Sequence, residues 1–78
     1  MYNYENEKPN VFTPDGFNMI EKIKVNASGR DAFTVQELMY GLSGDSWTML
    51  ACIDFLVEKG VFKYKSKGGM KQNHILTR

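Results

Sequence analysis

SWTMLACIDFLVEKG, residues 46–60, has the pattern of an amphipathic α-helix, and the elements on either side of it decide the fold. Its apolar side chains recur every three or four positions, which places them on one helical face. They are Met49, Leu50, Ile53, Leu56 and Val57. Asp45 or Ser46 can cap the amino end, because a short side-chain oxygen accepts from the free backbone N–H groups there. Gly60, directly after Lys59, is typical of a helix end, so the sequence predicts a helix between this cap and Gly60.

Another helix is predicted near the amino end of the chain. Thr13-Pro14-Asp15 has the features of a helix start: a cap, a proline at the first helical position and an acid in the first turn. The segment Asn26–Gly29 would end this helix. Its predicted apolar face contains Phe17, Ile20 and Ile23. Residues 1–12 show no fixed period and are predicted to be a flexible N-terminal tail, which leaves 13–78 as the folded domain.

A short second helix is predicted between these two. Thr34 and Glu37 have the spacing of a capping box, in which each side chain accepts from the backbone N–H of the other residue. The helix would run from Val35 to about Tyr40, after a brief strand at Ala32-Phe33. Glycines in residues 41–44 then turn the chain into the long helix, as in a helix-turn-helix arrangement.

After Gly60 the apolar period changes from that of a helix to that of a strand. Phe62 and Tyr64 alternate with lysines, which predicts a half-buried strand. Residues 66–70 contain two glycines and predict a turn. Residues 72–77 would then form the returning strand, with Leu76 facing the core.

This order of helix, short strand, helix, turn, helix and β-hairpin resembles the winged helix-turn-helix family. The segment FLVEKGVFKYKSKGGMKQNHILTR resembles the common ending of that family, and the likeness extends from Phe17 to Arg78. It implies an α+β fold in which three helices are followed by a C-terminal β-hairpin wing. It also implies binding to duplex DNA, with the third helix in the major groove and the wing on the backbone or minor groove. The implied contacts are Ser46, Trp47, Thr48 and Ala51 on the third helix, and Lys63, Lys65, Lys67 and Lys71 on the wing.

Charge is distributed unevenly along the chain. The formal net charge is only +1, but residues 59–78 contain six basic side chains and no acidic one. A nearly neutral total can therefore hide one cationic surface suited to a polyanion. The alternative is that these lysines only keep an exposed edge strand from pairing with other chains.

The third helix itself departs from the pattern of a base-reading helix. It contains no Arg, Asn or Gln, the side chains best suited to reading base edges. It carries Asp54 and Glu58, and Asp45 flanks its start; carboxylates facing a polyanion cost affinity. Thr48 can touch a thymine methyl or a phosphate, but it is also an ordinary helix residue. Binding is therefore expected to come mainly from wing lysines on phosphates and from DNA shape.

Trp47 and Phe55 allow two interpretations. Both can pack against the first helix or the N-terminal tail. Alternatively, they form an exposed apolar patch that binds another subunit or another protein. The second interpretation suggests a competing function, a winged-helix protein-interaction module without DNA binding.

Composition excludes several classes of protein. With 78 residues the chain is one small domain, and a homodimer is the expected working form. It has no apolar run long enough to span a bilayer, and its polar start argues against a secretory signal. The single cysteine, Cys52, cannot form an internal disulfide, which favours a cytoplasmic location. His74 is interpreted as a strand residue, and no cluster has the spacing of metal ligands. The sequence thus predicts no cofactor and no enzyme, but a DNA-binding regulator of transcription or of another DNA transaction.

Overall fold

The computed structural model describes all residues 1–78, which form four α-helices and a three-stranded antiparallel sheet. The helices are α1 (Tyr4–Glu7), α2 (Pro14–Ala27), α3 (Val35–Met39) and α4 (Ser46–Glu58). The strands are β1 (Ala32–Thr34), β2 (Lys63–Ser66) and β3 (Ile75–Thr77), and short 3-10 helices cover Lys8–Phe12 and Lys71–Asn73. The predicted α+β class is confirmed.

The ends of the two long helices are where the sequence predicts them. The hydroxyl of Thr13 accepts from the backbone N–H of Gly16 at 3.0 Å, and the carboxylate of Asp45 accepts from that of Thr48 at 3.1 Å. Each bond satisfies a donor that the first helical turn leaves free. Gly60 adopts a φ of 79°, the left-handed conformation that follows many helices.

The capping box of α3 is also confirmed. The Thr34 hydroxyl accepts from the Glu37 N–H at 3.1 Å, and the Glu37 carboxylate accepts from the Thr34 N–H at 2.8 Å. The other end of this short helix is held by the side-chain amide of Asn26, which donates to the carbonyl oxygens of Leu38 and Tyr40. With both ends satisfied, five residues suffice for a stable turn between α2 and α4.

The sheet has the order β1-β3-β2, so β3 is central and β2 lies at an edge. Phe33 and Tyr64 each pair with Leu76, and these three side chains face the core side. The returning strand is shorter than the pattern of residues 72–77 predicts, because Lys71–Asn73 form a 3-10 turn and only Ile75–Thr77 pair. In β2 the register shifts between Tyr64 and Ser66, which leaves Lys65 as the extra residue of a β-bulge.

The core lies between α2, α4 and the inner face of the sheet, where the rings of Phe33 and Phe62 meet edge to face at 5.0 Å. The predicted apolar face of α2 needs one correction, because Phe17 is 54% exposed. The buried positions of α2 include small residues, Gly16 and Ala27, which carry too little apolar surface to show in a hydrophobic pattern. The fifteen core side chains are Val11, Met19, Ile20, Ile23, Ala27, Phe33, Val35, Leu38, Met49, Ala51, Cys52, Ile53, Leu56, Phe62 and Leu76.

Residues 1–12, which we call the N-terminal segment, differ from the predicted flexible tail. They contain α1 and the first 3-10 helix, and they pack along α4. Val11 is completely buried. Gly16 explains how the segment approaches α2, since a Cβ atom there would lie 2.2 Å from the carbonyl oxygen of Val11. The missing side chain therefore creates the space in which the segment packs.

Replacing Gly16 with Ala should destabilise the protein although alanine usually favours a helix. The expected loss is about 1–3 kcal/mol, the usual cost of overpacking, against a helix-propensity gain of up to about 1 kcal/mol. Urea denaturation measures the difference. Asn18→Ala is the matched control, because Asn18 is exposed on the same helix. A Gly16→Ala chain as stable as the control would show that the N-terminal segment does not pack here.

Candidate nucleic-acid interface

The body of α4 is covered by the rest of the chain. From Thr48 to Val57 every side chain is buried or only partly exposed, and fully exposed positions occur only at the two ends of the helix. Trp47, Ala51, Asp54 and Glu58 follow one another at helical spacing and form a single stripe. Tyr2, Tyr64 and Lys71 cover the central part of this stripe at Asp54, and Tyr4 and Lys8 contact Glu58 at its carboxyl end. At the amino end, Trp47 has no such partner from the rest of the chain and is 41% exposed.

Two of the residues predicted as DNA contacts on α4, Ala51 and Thr48, are not surface residues. Ala51 has no exposed area and belongs to the core, so it cannot meet a base. Thr48 is 7% exposed, and its hydroxyl donates to the carboxylate of Asp45 at 2.9 Å. Its hydrogen-bonding capacity serves the helix cap. This is the ordinary helical role that the sequence left open for Thr48.

Ser46 and Trp47 remain accessible at the amino end of α4. Ser46 is exposed, and Trp47 is 41% exposed. Phe55, the other aromatic residue on this helix, packs edge to face against Phe12 with ring centroids 5.3 Å apart. Packing against the N-terminal segment is thus confirmed for Phe55, whereas Trp47 keeps a surface that can meet a partner.

Lys63, Lys65 and Lys67 form an exposed cationic surface, which we call the lysine strip. None of the three makes an ion pair. The ammonium group of Lys67 lies 4.7 Å from the centre of the Tyr64 ring, an interaction that orients the side chain without cancelling its charge. The strip therefore presents three uncompensated charges along the edge strand and the turn that follows it.

Lys71 has a different environment from the other three lysines. Its ammonium group lies 3.2 and 3.3 Å from the two carboxylate oxygens of Asp54, and it donates to the Tyr64 hydroxyl at 2.8 Å. Its side chain is only 30% exposed. The charge of Lys71 is balanced within the protein, so this residue supports the structure more than it can attract DNA.

Asp54 is the centre of a network that we call the Asp54 cluster, together with Tyr2, Tyr64 and Lys71. The hydroxyls of Tyr2 and Tyr64 donate to the Asp54 carboxylate at 2.7 and 2.6 Å. Burial raises the pKa of both tyrosines, and the bonds to Asp54 raise it further, so both remain protonated donors. The cluster joins the N-terminal segment, α4 and β2 around one carboxylate.

Glu58, one turn further along α4, holds the N-terminal segment a second time. Its carboxylate accepts from the Tyr4 hydroxyl at 2.7 Å and pairs with Lys8 at 3.0 Å. The bond from Tyr4, followed by that from Lys8, lowers the pKa of Glu58. Asp54 and Glu58, whose charges are unfavourable beside DNA, thus both have partners inside the chain.

The sequence did not identify the tyrosines of these networks. Tyr2 and Tyr4 lie more than fifty residues from their carboxylate partners, and no local pattern links positions so far apart. The alternation of Tyr64 with lysines placed it correctly on the inner face of a strand, but it did not show that its hydroxyl meets α4.

The single cysteine and the possible metal ligands are the remaining candidates for chemistry. Cys52 is completely buried, and burial raises its pKa to about 11, so the thiol stays protonated. No group of three or more His, Cys, Asp or Glu side chains is arranged to hold a metal ion. The largest surface groove, about 440 Å³, lies between α2 and residues 42–44 and has a mainly polar lining.

Comparison with protein-family models, curated proteins and solved structures found no match to this chain. None of its helices has the length and the apolar character needed to cross a membrane. The interpretation of the site therefore depends on its own geometry and charge.

The contribution of Glu58 to stability should depend on pH in a defined direction. A carboxyl group whose pKa is lowered by folding stabilises the protein above its unfolded pKa, here 4.5, and loses that contribution as the pH falls through the folded pKa. Glu58→Gln should therefore reduce the free energy of unfolding near neutral pH but make no difference in acid. Urea denaturation of both proteins at a series of pH values, from neutral to acid, measures this difference in the free energy of unfolding.

Glu21→Gln provides the control for this pH series, because Glu21 is exposed on α2 and pairs with no other side chain. This variant removes the same charge but breaks no side-chain bond. A constant gap between the wild-type chain and Glu58→Gln at every pH would contradict the assigned role of Glu58.

Proposed function

We propose that this chain is a winged-helix DNA-binding protein that grips the duplex backbone through the lysine strip and the amino end of α4. The order α2, β1, α3, α4, β2, β3 supports the proposal, since it is the order of the family that the sequence resembles. In this interpretation residues 63–77 are the wing, and the N-terminal segment is an addition to the basic fold.

The uncompensated charge of the lysine strip is the observation that carries the proposal. Residues 59–78 contain no acid, and the three lysines of the strip have no ion-pair partner. Lysines that neutralise phosphates release counterions from the duplex, and this release supplies most of the free energy of non-specific binding. The acidic side chains all lie in the first 58 residues, so the charge also orients the protein toward a polyanion.

The Asp54 cluster supports a shared binding face. Tyr64 and Lys71 meet α4 at Asp54, on the same helical stripe as Trp47. Trp47 lies two turns away, about 10 Å along the helix axis. We expect the lysine strip to lie beside the stripe that contains Trp47, so that one duplex contacts both surfaces.

The proposed mode of binding uses phosphates and DNA shape more than base edges. The central part of α4 is covered, and its exposed end carries only Ser46 and Trp47. Phosphate contacts position a protein on the duplex, whereas base contacts supply sequence preference. For a regulator of transcription or of another DNA transaction, we expect a homodimer, which would present two such surfaces to one duplex.

Removing two charges from the lysine strip should weaken binding to every duplex sequence by a similar factor. For Lys65→Ala with Lys67→Ala, the slope of log K against log salt concentration should fall by about 0.9 for each phosphate that the variant no longer neutralises. Fluorescence anisotropy with labelled duplexes of different sequence, at several salt concentrations, measures both quantities.

The matched control removes the same number of charges from α2, with Lys22→Ala and Lys24→Ala, both exposed. This pair should leave the salt slope near that of the wild-type chain. Equal reductions in affinity in the two double variants would show that net charge, and not the position of the lysine strip, determines binding. A wild-type chain that does not bind duplex DNA at low salt would overturn the proposal.

A second candidate function is protein binding without DNA binding, and the covered body of α4 favours it. A helix whose central part is covered by the rest of the chain cannot lie in a major groove along its length. An exposed tryptophan, in contrast, is a common anchor in protein interfaces. The anchor would be Trp47, with the contribution of Phe55 limited by its packing on Phe12.

Trp47→Ala should dissociate a complex that depends on this anchor. Sedimentation velocity over a range of concentrations measures the size of the wild-type chain and of the variant. Tyr40→Ala is the control, because Tyr40 is an exposed aromatic residue outside α4. A wild-type chain that is monomeric throughout, or a dimer unaffected by Trp47→Ala, would argue against the second candidate.

A further inference from the structure

We propose that Asp54 is the positioning residue of the DNA-binding surface: its carboxylate holds the lysine strip in place against α4. This inference depends on the proposed DNA binding. It gives Asp54 a structural role in DNA binding, although its negative charge alone would repel DNA.

The contacts of Asp54 fall on both sides of the turn that carries Lys67. Tyr64 lies between Lys63 and Lys65 in β2, and its hydroxyl donates to Asp54 at 2.6 Å. Lys71 lies beyond the turn that carries Lys67, and its ammonium group pairs with the same carboxylate at 3.2 Å. The backbone that carries the strip is thereby attached to α4 at two points, one before and one after the turn.

The backbone hydrogen bonds of the sheet alone fix the lysine strip only weakly. β2 is an edge strand, its only neighbour β3 has three residues, and a bulge at Lys65 interrupts the ladder between them. The extra residue of a bulge is left unpaired and bends the strand. The side-chain bonds of Tyr64 and Lys71 therefore supply much of the fixed geometry that the backbone ladder lacks.

The environment of Asp54 makes these bonds effective. Its side chain is 15% exposed, and its two oxygens accept from Tyr2, Tyr64 and Lys71. A partly buried carboxylate with several donors is strongly held, because losing any of them leaves charge without compensation. Lys67 and Lys71 also stand over the Tyr64 ring, at 4.7 and 4.8 Å from its centre. Tyr64 thus connects the fixed carboxylate to the free cation of Lys67.

The effect of Asp54→Asn on DNA affinity has opposite signs if Asp54 positions the strip and if it acts only through its charge. The change removes one negative charge beside the proposed DNA surface, which by charge alone should tighten binding and steepen the salt dependence. If Asp54 positions the strip, binding instead weakens, by roughly three- to tenfold at moderate salt, and the salt slope falls because fewer phosphates are neutralised. Anisotropy titrations with one duplex at several salt concentrations measure both quantities.

Glu58→Gln is the matched control for charge. It removes the same charge from the same helix, but Glu58 contacts Tyr4 and Lys8 and has no bond to the residues of the strip or of its turn. It should bind DNA as tightly as the wild-type chain or more tightly. Asp54→Asn and Glu58→Gln that both bind more tightly would overturn the positioning role.

Tyr64→Phe tests the same role without any change in charge, and it decides the question if Asp54→Asn does not fold. It removes the hydroxyl that meets Asp54 and Lys71, so affinity and salt slope should both fall. Tyr4→Phe is its control, because it removes an equivalent tyrosine–carboxylate bond at Glu58. Tyr64→Phe that binds like the wild-type chain would overturn the inference. A wild-type chain that fails to bind duplex DNA would instead overturn the proposed function, before any variant is compared.

Discussion

One partly buried carboxylate, that of Asp54, bonds to side chains from three parts of the chain that lie far apart in the sequence. It accepts hydrogen bonds from Tyr2 in the N-terminal segment and from Tyr64 in β2, and it pairs with Lys71 beyond the turn. An unpaired carboxylate in this position would lower the positive potential of the lysine strip. Here its charge is balanced by Lys71, and what remains is its capacity to fix the relative positions of its partners.

The same arrangement divides the charged side chains near α4 into two groups. Acids on α4 are paired with tyrosines and lysines of the chain itself, whereas the lysines of the strip have no acidic partner. The strip therefore presents three positive charges that no acid of the chain balances. DNA binding through the backbone is consistent with this division, and reading of bases by the middle of α4 is not, because those positions are occupied by the protein's own side chains.

Features decided within a few residues could be predicted from the sequence. The caps at Thr13 and Asp45, the capping box at Thr34 and the end of α4 at Gly60 each depend on neighbours in the chain. The buried face of α2 was only partly predictable, since Gly16 is buried where the pattern favours Phe17. The Asp54 cluster could not be predicted, because hydrogen bonds between distant positions leave no periodic signal. Ala51 and Thr48, which the sequence predicts as DNA contacts, are buried, because the periodic pattern does not show which face of α4 the rest of the chain covers.

The N-terminal segment has a consequence for the order in which the protein folds. Tyr2 meets Asp54 across 52 positions, and Tyr4 meets Glu58 across 54. Contacts of such large sequence separation carry a high loop-closure entropy, which must be met before they stabilise anything. The site on α4 that Tyr2 occupies also includes Tyr64 of β2 and Lys71 of the 3-10 turn that follows it. We therefore expect the N-terminal segment to dock late, once α4 and the sheet are in place.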